Sequence, residues 1–227
     1  MASGVIDLRA IEAIGAALEG SGKPFVVTSG TLIAGQGHPA TEEDPAAPDT
    51  HRTAAENATI ALAERGVRSS IVRLAPSVHG EGDHGFVPRL IEIAREKGVS
   101  AYVGDGANRW PAVHRLDAAR LFRLAVESAP AGSRLHGAAE EGVPFRDIAG
   151  DIGRHLNLPV VSVSREDADA HFGWLAPVVS LDAPASSTLT QKELAPRGPR
   201  RRPLLRGREG LKPSTAGRAE AFNEVMG

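Results

Sequence analysis

The chain has 227 residues, 26 Lys and Arg against 28 Asp and Glu, a net charge of −2 and no cysteine. A hydrophobic share of 41% with 24% charged residues is that of a chain able to bury a core. Without cysteine there are no disulfides, thiolate metal sites or cysteine nucleophiles, and the near-even charge favours no particular partner.

No stretch approaches the ~20 apolar residues of a membrane-spanning helix. The opening MASGVIDLRAIEAIG has no basic region followed by an apolar block, so it does not read as a signal peptide. The expectation is a soluble, cytoplasmic protein with no membrane partner.

In chain order, residues 10–19 are apolar at helical spacing and stop at Gly20-Ser21-Gly22. Residues 24–28 (PFVVT) form a short continuous apolar run, the mark of a strand covered on both faces. A Gly-, Pro- and Asp-rich loop follows over 30–51, then an alanine-rich helix over 53–65 halted by Gly66. SIVRL (70–74) is the next strand, 86–97 an amphipathic helix ended by Gly98, and 100–103 a weaker strand. Asp117 is placed to cap a helix running to about residue 127. Residues 134–138 read as a strand, 145–155 as a helix, 160–163 as a strand and 165–172 as a short helix. Strands alternating with helices indicate an α/β fold with a parallel, helix-covered sheet.

Residues 80–85, GEGDHG, match the dinucleotide fingerprint G-x-G-x-x-G in letters. A pyrophosphate cradle presents bare amides to an anion at a helix start. Here Glu81 and Asp83 would crowd that anion, and five residues separate Leu74 from Gly80, so the loop reads as a glycine-bent crossing over a cleft. His79, Asp83, His84 and His114 have no spacing that defines a metal site, so no metal is expected. TSGT has no glycine two residues before its serine, as a nucleophile elbow requires. The acid pairs Glu42-Glu43 and Glu140-Glu141 read as solvated loop surface. Residues 195–218 hold eight Lys or Arg and one Glu, leaving −9 on the remainder. This Pro/Arg-rich tail (195–227) is expected to be disordered. With no aromatics interleaved to stack on bases, nucleic acid is not an expected partner.

Four stretches together resemble the NAD(P)-dependent epimerase/dehydratase family, the extended short-chain dehydrogenase/reductases. They are VVTSGTLIAG (26–35), VRLAPSVHGEGDHGFVP (72–88), RWPAVHRLDAARLFRLAVE (109–127) and GVPFRDIAGDIGRHLNLPV (142–160). The resemblance covers about residues 10–194. It implies the back half of a Rossmann-like NAD(P)-binding domain over 1–130 and a small substrate subdomain over 131–194. It places cofactor contacts at Thr28, Ser29 and Gly30 and at Ala75, Pro76, Ser77 and Val78. It places substrate contacts at His79, Arg109, Trp110 and His114, with Trp110 and Pro111 as an apolar lid wall. Core packing is the alternative for Trp110, and a satisfied interior ring for His114.

The departures from the family are as informative. The N-terminal glycine-rich cradle has no counterpart, so the resemblance implies an atypical and N-terminally truncated member. Losing that cradle removes charge-assisted bonds of about 1.5–3 kcal/mol each. The Tyr-x-x-x-Lys pair falls on Pro48 and Arg52, and the third catalytic position falls on Gly30, flanked by Ser29 and Thr31. Ser29, Thr31 and Arg52 are therefore the catalytic candidates, NAD or NADP the cofactor, and a small hydroxyl- or carbonyl-bearing compound the substrate. The alternatives are a non-catalytic binding or regulatory module of the same fold, or an inactive fragment. A homodimer through helices such as 53–65 is admitted by the resemblance alone.

Overall fold

The structure, a computed structural model, describes residues 2–34, 38–48 and 50–194. The basic tail lies outside the described residues. α1 (Ala2–Leu18) is followed by β1 (Pro24–Gly30), α2 (Thr53–Ala61) and β2 (Arg68–Leu74). β2 pairs in parallel with β1 on one side and with β6 (Ser133–Gly137) on the other, giving the order β1-β2-β6.

This sheet is covered on both faces, which makes the fold α/β. α1 and α2 pack on one face through Ile11, Ala55 and Leu62 against Phe25 and Val27. α4 (Arg115–Ser128) packs on the other through Ala118, Leu121 and Ala125 against Val26, Val72 and Leu135. Val26 and Val27 thus serve opposite cores, as the two-residue period of a strand requires. Burial on both faces explains why 24–28 and 70–74 read as continuous rather than alternating apolar runs.

A second unit is built from shorter elements. β3 (Ser77–His79) runs parallel to β5 (Arg109–His114), which pairs antiparallel with β7 (Glu140–Pro144). β4 (Ser100–Val103) runs parallel to β8 (Val160–Val163). α3 (Phe86–Lys97), α5 (Phe145–Leu156), α6 (Ala168–Phe172) and α7 (Ala176–Val179) close around Trp110, Phe145, Phe172 and Leu175. At the end of α3, Gly98 sits at φ +72°, the left-handed conformation that stops the helix.

Three features differ from the sequence expectation. β3, β5 and β7 lie in segments not read as strands; β7 (EEGVP) is polar and holds a glycine and a proline, and it pairs with one neighbour only. The packing does not divide at residue 130, because β6 returns to the first sheet while α3 and β4 join the second core. Finally, α4 starts two residues before Asp117. His114 is its cap, with ring Nδ1 accepting from the Leu116 amide at 3.2 Å, and Asp117 lies buried in the first turn.

α8 (Thr188–Glu193) seals the outer edge of β6. The His136 amide donates to Thr190 Oγ1 at 2.7 Å, and the Thr190 amide and hydroxyl both donate to Glu42 Oε1 at 2.6 Å. Glu42 is 7% exposed, so the acid pair at 42–43 is not the solvated surface that its neighbours suggested. Among the described residues, no helix is long and apolar enough to cross a membrane.

Candidate functional site

Parallel register sets up a row of polar side chains. Ser29 on β1 pairs with Arg73 on β2, which pairs with His136 on β6. All three are buried on the face that α2 covers, and Glu56 of α2 reaches down to the row. Ser29 Oγ donates to Glu56 Oε2 at 3.0 Å. Both Nε and Nη2 of Arg73 donate to Glu56 Oε1, the first at 2.9 Å. Nε of Arg134 lies 3.5 Å from the same oxygen. Arg73 Nη1 also donates to the Asp44 carbonyl at 2.8 Å, and His136 Nδ1 meets the Ser186 carbonyl at 2.8 Å. Burial pushes the His136 imidazole below its ordinary pKa, and the positive charge of Arg73 pushes the same way.

Beside this row is a groove of about 270 Å³ that is open to solvent. Its walls come from α1 (Asp7, Ile11, Ile14), β1 (Val27, Thr28, Ser29) and α2 (Arg52, Glu56). Arg52 stands at the mouth, Nη1 donating to Asp7 Oδ2 at 3.4 Å and to the Thr28 carbonyl at 3.5 Å. Thr31 follows the end of β1; it is 1% exposed, and its hydroxyl has no hydrogen-bond partner. The structure thus brings Thr28, Ser29 and Arg52 together around one groove, with Gly30 and Thr31 at the strand exit.

The other expected site residues lie elsewhere. The β1 and β2 exits are adjacent, Gly30 opposite Leu74, and the β3 and β5 exits are adjacent, His79 opposite His114. Yet the Ser29 groove is lined by none of residues 75–79 or 110–114. Ala75, Pro76 and Ser77 are buried as the link from β2 to β3, and Val78 packs into the α4 core. His79 and His114 meet edge to face with ring centroids 5.6 Å apart.

Trp110 is wholly buried, its ring centroid 4.9 Å from Phe145 and 5.9 Å from Phe86. It is core and not a lid wall. Arg109 is held by Asp182 through bonds of 3.0 and 2.8 Å from Nε and Nη2. In the glycine-bent loop 80–85, Asp83 Oδ1 accepts from the Gly85 amide at 2.7 Å, occupying a donor that a phosphate would need at the start of α3. Burial pushes the Asp83 carboxyl upward, against the opposing pull of these backbone bonds. The described residues include no group of three or more His, Asp or Glu side chains placed to hold a metal ion.

Sequence reasoning missed Arg73, His136 and Glu42. One signal was available for Arg73: an arginine inside the apolar run SIVRL cannot stay buried without a carboxylate partner. Nothing local marks His136 or Glu42.

The residues present suit one end of a dinucleotide better than the other. The groove lined by Thr28, Ser29 and Arg52 offers polar groups to a ring, whereas in the 80–85 loop the Gly85 amide is already taken by Asp83 and is not bare for a pyrophosphate.

Comparisons with known proteins agree with this architecture. A model of the NAD dependent epimerase/dehydratase family matches residues 4–136. The uncharacterized protein C2A9.02 of Schizosaccharomyces pombe is 52% identical over 191 residues, which are 83% of this chain and 65% of that protein. The uncharacterized protein YLL056C of Saccharomyces cerevisiae is 47% identical over 191 residues, 83% of this chain and 64% of that protein. The chain thus spans a little under two thirds of the length of these relatives. Among solved structures, DesIV, a dTDP-glucose 4,6-dehydratase from Streptomyces venezuelae with NAD bound, superposes with a TM-score of 0.71. It is 18% identical, with 98% of this chain and 66% of that one covered.

Proposed function

We propose, from the premise that this chain belongs to the NAD dependent epimerase/dehydratase family, that it binds the nicotinamide end of NAD or NADP beside a small hydroxyl- or carbonyl-bearing compound. The observation that carries this reading is the groove along the C-terminal half of β1, where Thr28, Ser29 and Arg52 converge. Ligands of open α/β sheets bind at the C-terminal ends of their strands. When bound, the nicotinamide would supply a hydride acceptor or donor. The chain's own part is to seat the ring against Val27 and Ser29, with the Arg52 guanidinium at the mouth.

A second reading, a binding module without turnover, is favoured by one observation. Proton transfer to a carbonyl needs an acidified hydroxyl beside a cation. Pro48 stands where the family's tyrosine falls, and Tyr102 lies on β4, in a different sheet from β1. Arg52 is also tied to Asp7 and Thr28. A homodimer through α2 and a cytoplasmic location, suited to a chain without cysteine, belong to the same proposal.

Titration of the purified chain with NADH and NADPH by fluorescence, with thermal unfolding followed in parallel, tests it. Saturable binding that raises Tm supports the nucleotide reading, and an alcohol or carbonyl panel then separates turnover from binding. A cooperative melt that neither nucleotide shifts overturns the nucleotide reading.

A further inference from the structure

Ser29 both lines the groove and takes part in the buried row, and it is 7% exposed. A hydroxyl carries one proton and two lone pairs, whereas a carboxylate only accepts. Glu56 is fixed as that acceptor: Oε1 is gripped by two nitrogens of Arg73, with Nε of Arg134 at 3.5 Å, while Oε2 faces Ser29 Oγ at 3.0 Å. Arg73 is itself anchored by the Asp44 carbonyl, which keeps the carboxylate from turning away. The Ser29 proton is therefore committed to Glu56, and only lone pairs remain for the groove.

We infer that Ser29 presents a hydrogen-bond acceptor to the groove, so that the ligand group meeting it is a donor, which for a nicotinamide ring is its carboxamide NH2. This rests on the nicotinamide reading given above. The consequence for chemistry is specific. Ser29 lies beside the position where the family places a catalytic hydroxyl, yet it cannot donate to a carbonyl oxygen while Glu56 holds its proton. Its part is selection of the ring, with Glu56 and Arg73 as positioning residues.

Two measurements on the full chain test the inference. Neutron diffraction from deuterated crystals locates the deuteron on Ser29 Oγ. Density between Oγ and Glu56 Oε2 is expected, and density directed into the groove overturns the inference. Calorimetry then compares NAD+ with its 3-acetylpyridine analogue, which keeps the carbonyl and lacks the NH2. The wild-type chain should prefer NAD+ by about tenfold, the worth of one hydrogen bond, and Ser29→Ala should bring the ratio near one. A wild-type ratio near one overturns the inference even when NAD+ binds. Failure of both dinucleotides to bind overturns the nucleotide reading instead, and the deuteron position still decides the state of Ser29.

Discussion

Glu56 of α2 and Arg73 of β2 form an ion pair in which neither side chain reaches solvent, at 1% and 0% exposure. Removing two charges from water is costly, and only close geometry with further hydrogen bonds offsets it. Here Ser29 and the Asp44 carbonyl supply those bonds, and Nε of Arg134 brings a second positive charge to 3.5 Å from Glu56 Oε1. The pair ties α2 to the middle strand directly beside the groove.

Breaking this pair leaves a buried charge without its partner. Arg73→Met should cost about 3–5 kcal/mol, read as a lower denaturant midpoint at unchanged slope. Glu56→Leu with Arg73→Met should restore part of the loss, because both charges then leave together. A single variant that unfolds like wild type would show that the pair carries no stability.

His136 gives a pH signature. Burial and Arg73 lower its pKa below the ordinary value of 6.5, so the unfolded chain takes up a proton before the folded chain does. Its contribution is present above pH 6.5 and is lost as pH falls from there through the lowered folded value. Melting curves across pH 8 to 5 should show Tm falling on the acid side, and His136→Gln should flatten that fall. An equal slope in the variant would assign the acid sensitivity to other groups.

The two tryptophans report separately. Trp110 is buried at 0% exposure, while Trp174 is 66% exposed. Acrylamide should quench Trp174 readily and leave the emission of Trp174→Phe, which reports Trp110 alone, nearly untouched. Trp110→Ala should destabilise by about 3–5 kcal/mol through the cavity left against Phe86 and Phe145.

Glu42 holds α8 onto β6 through two bonds to Thr190. Glu42→Ala should cost about 1–3 kcal/mol by leaving the Thr190 donors unmet, and it should speed proteolysis around residues 186–194. Glu42→Gln keeps an acceptor and should cost less. Protection of α8 equal to wild type in the alanine variant would argue that Glu42 is not the clasp.

The alternation of apolar strands with helices stopped by Gly20, Gly66 and Gly98 is a local pattern, and it was enough to give an α/β fold and most element positions. The mismatch of the GEGDHG loop with a phosphate cradle was equally legible, because Glu81 and Asp83 sit inside the motif itself. What the sequence left open are relations between residues far apart in the chain. Ser29 and Glu56 are 27 residues apart, Arg73 and His136 are 63, and Glu42 and Thr190 are 148. Strand register decides these pairings, since it alone sets Ser29, Arg73 and His136 in one row. Tertiary packing likewise put Trp110 into the core against Phe86 and Phe145. Helical and strand periods follow from bonds between near neighbours, whereas burial and charge pairing exist only once the strands have chosen their partners.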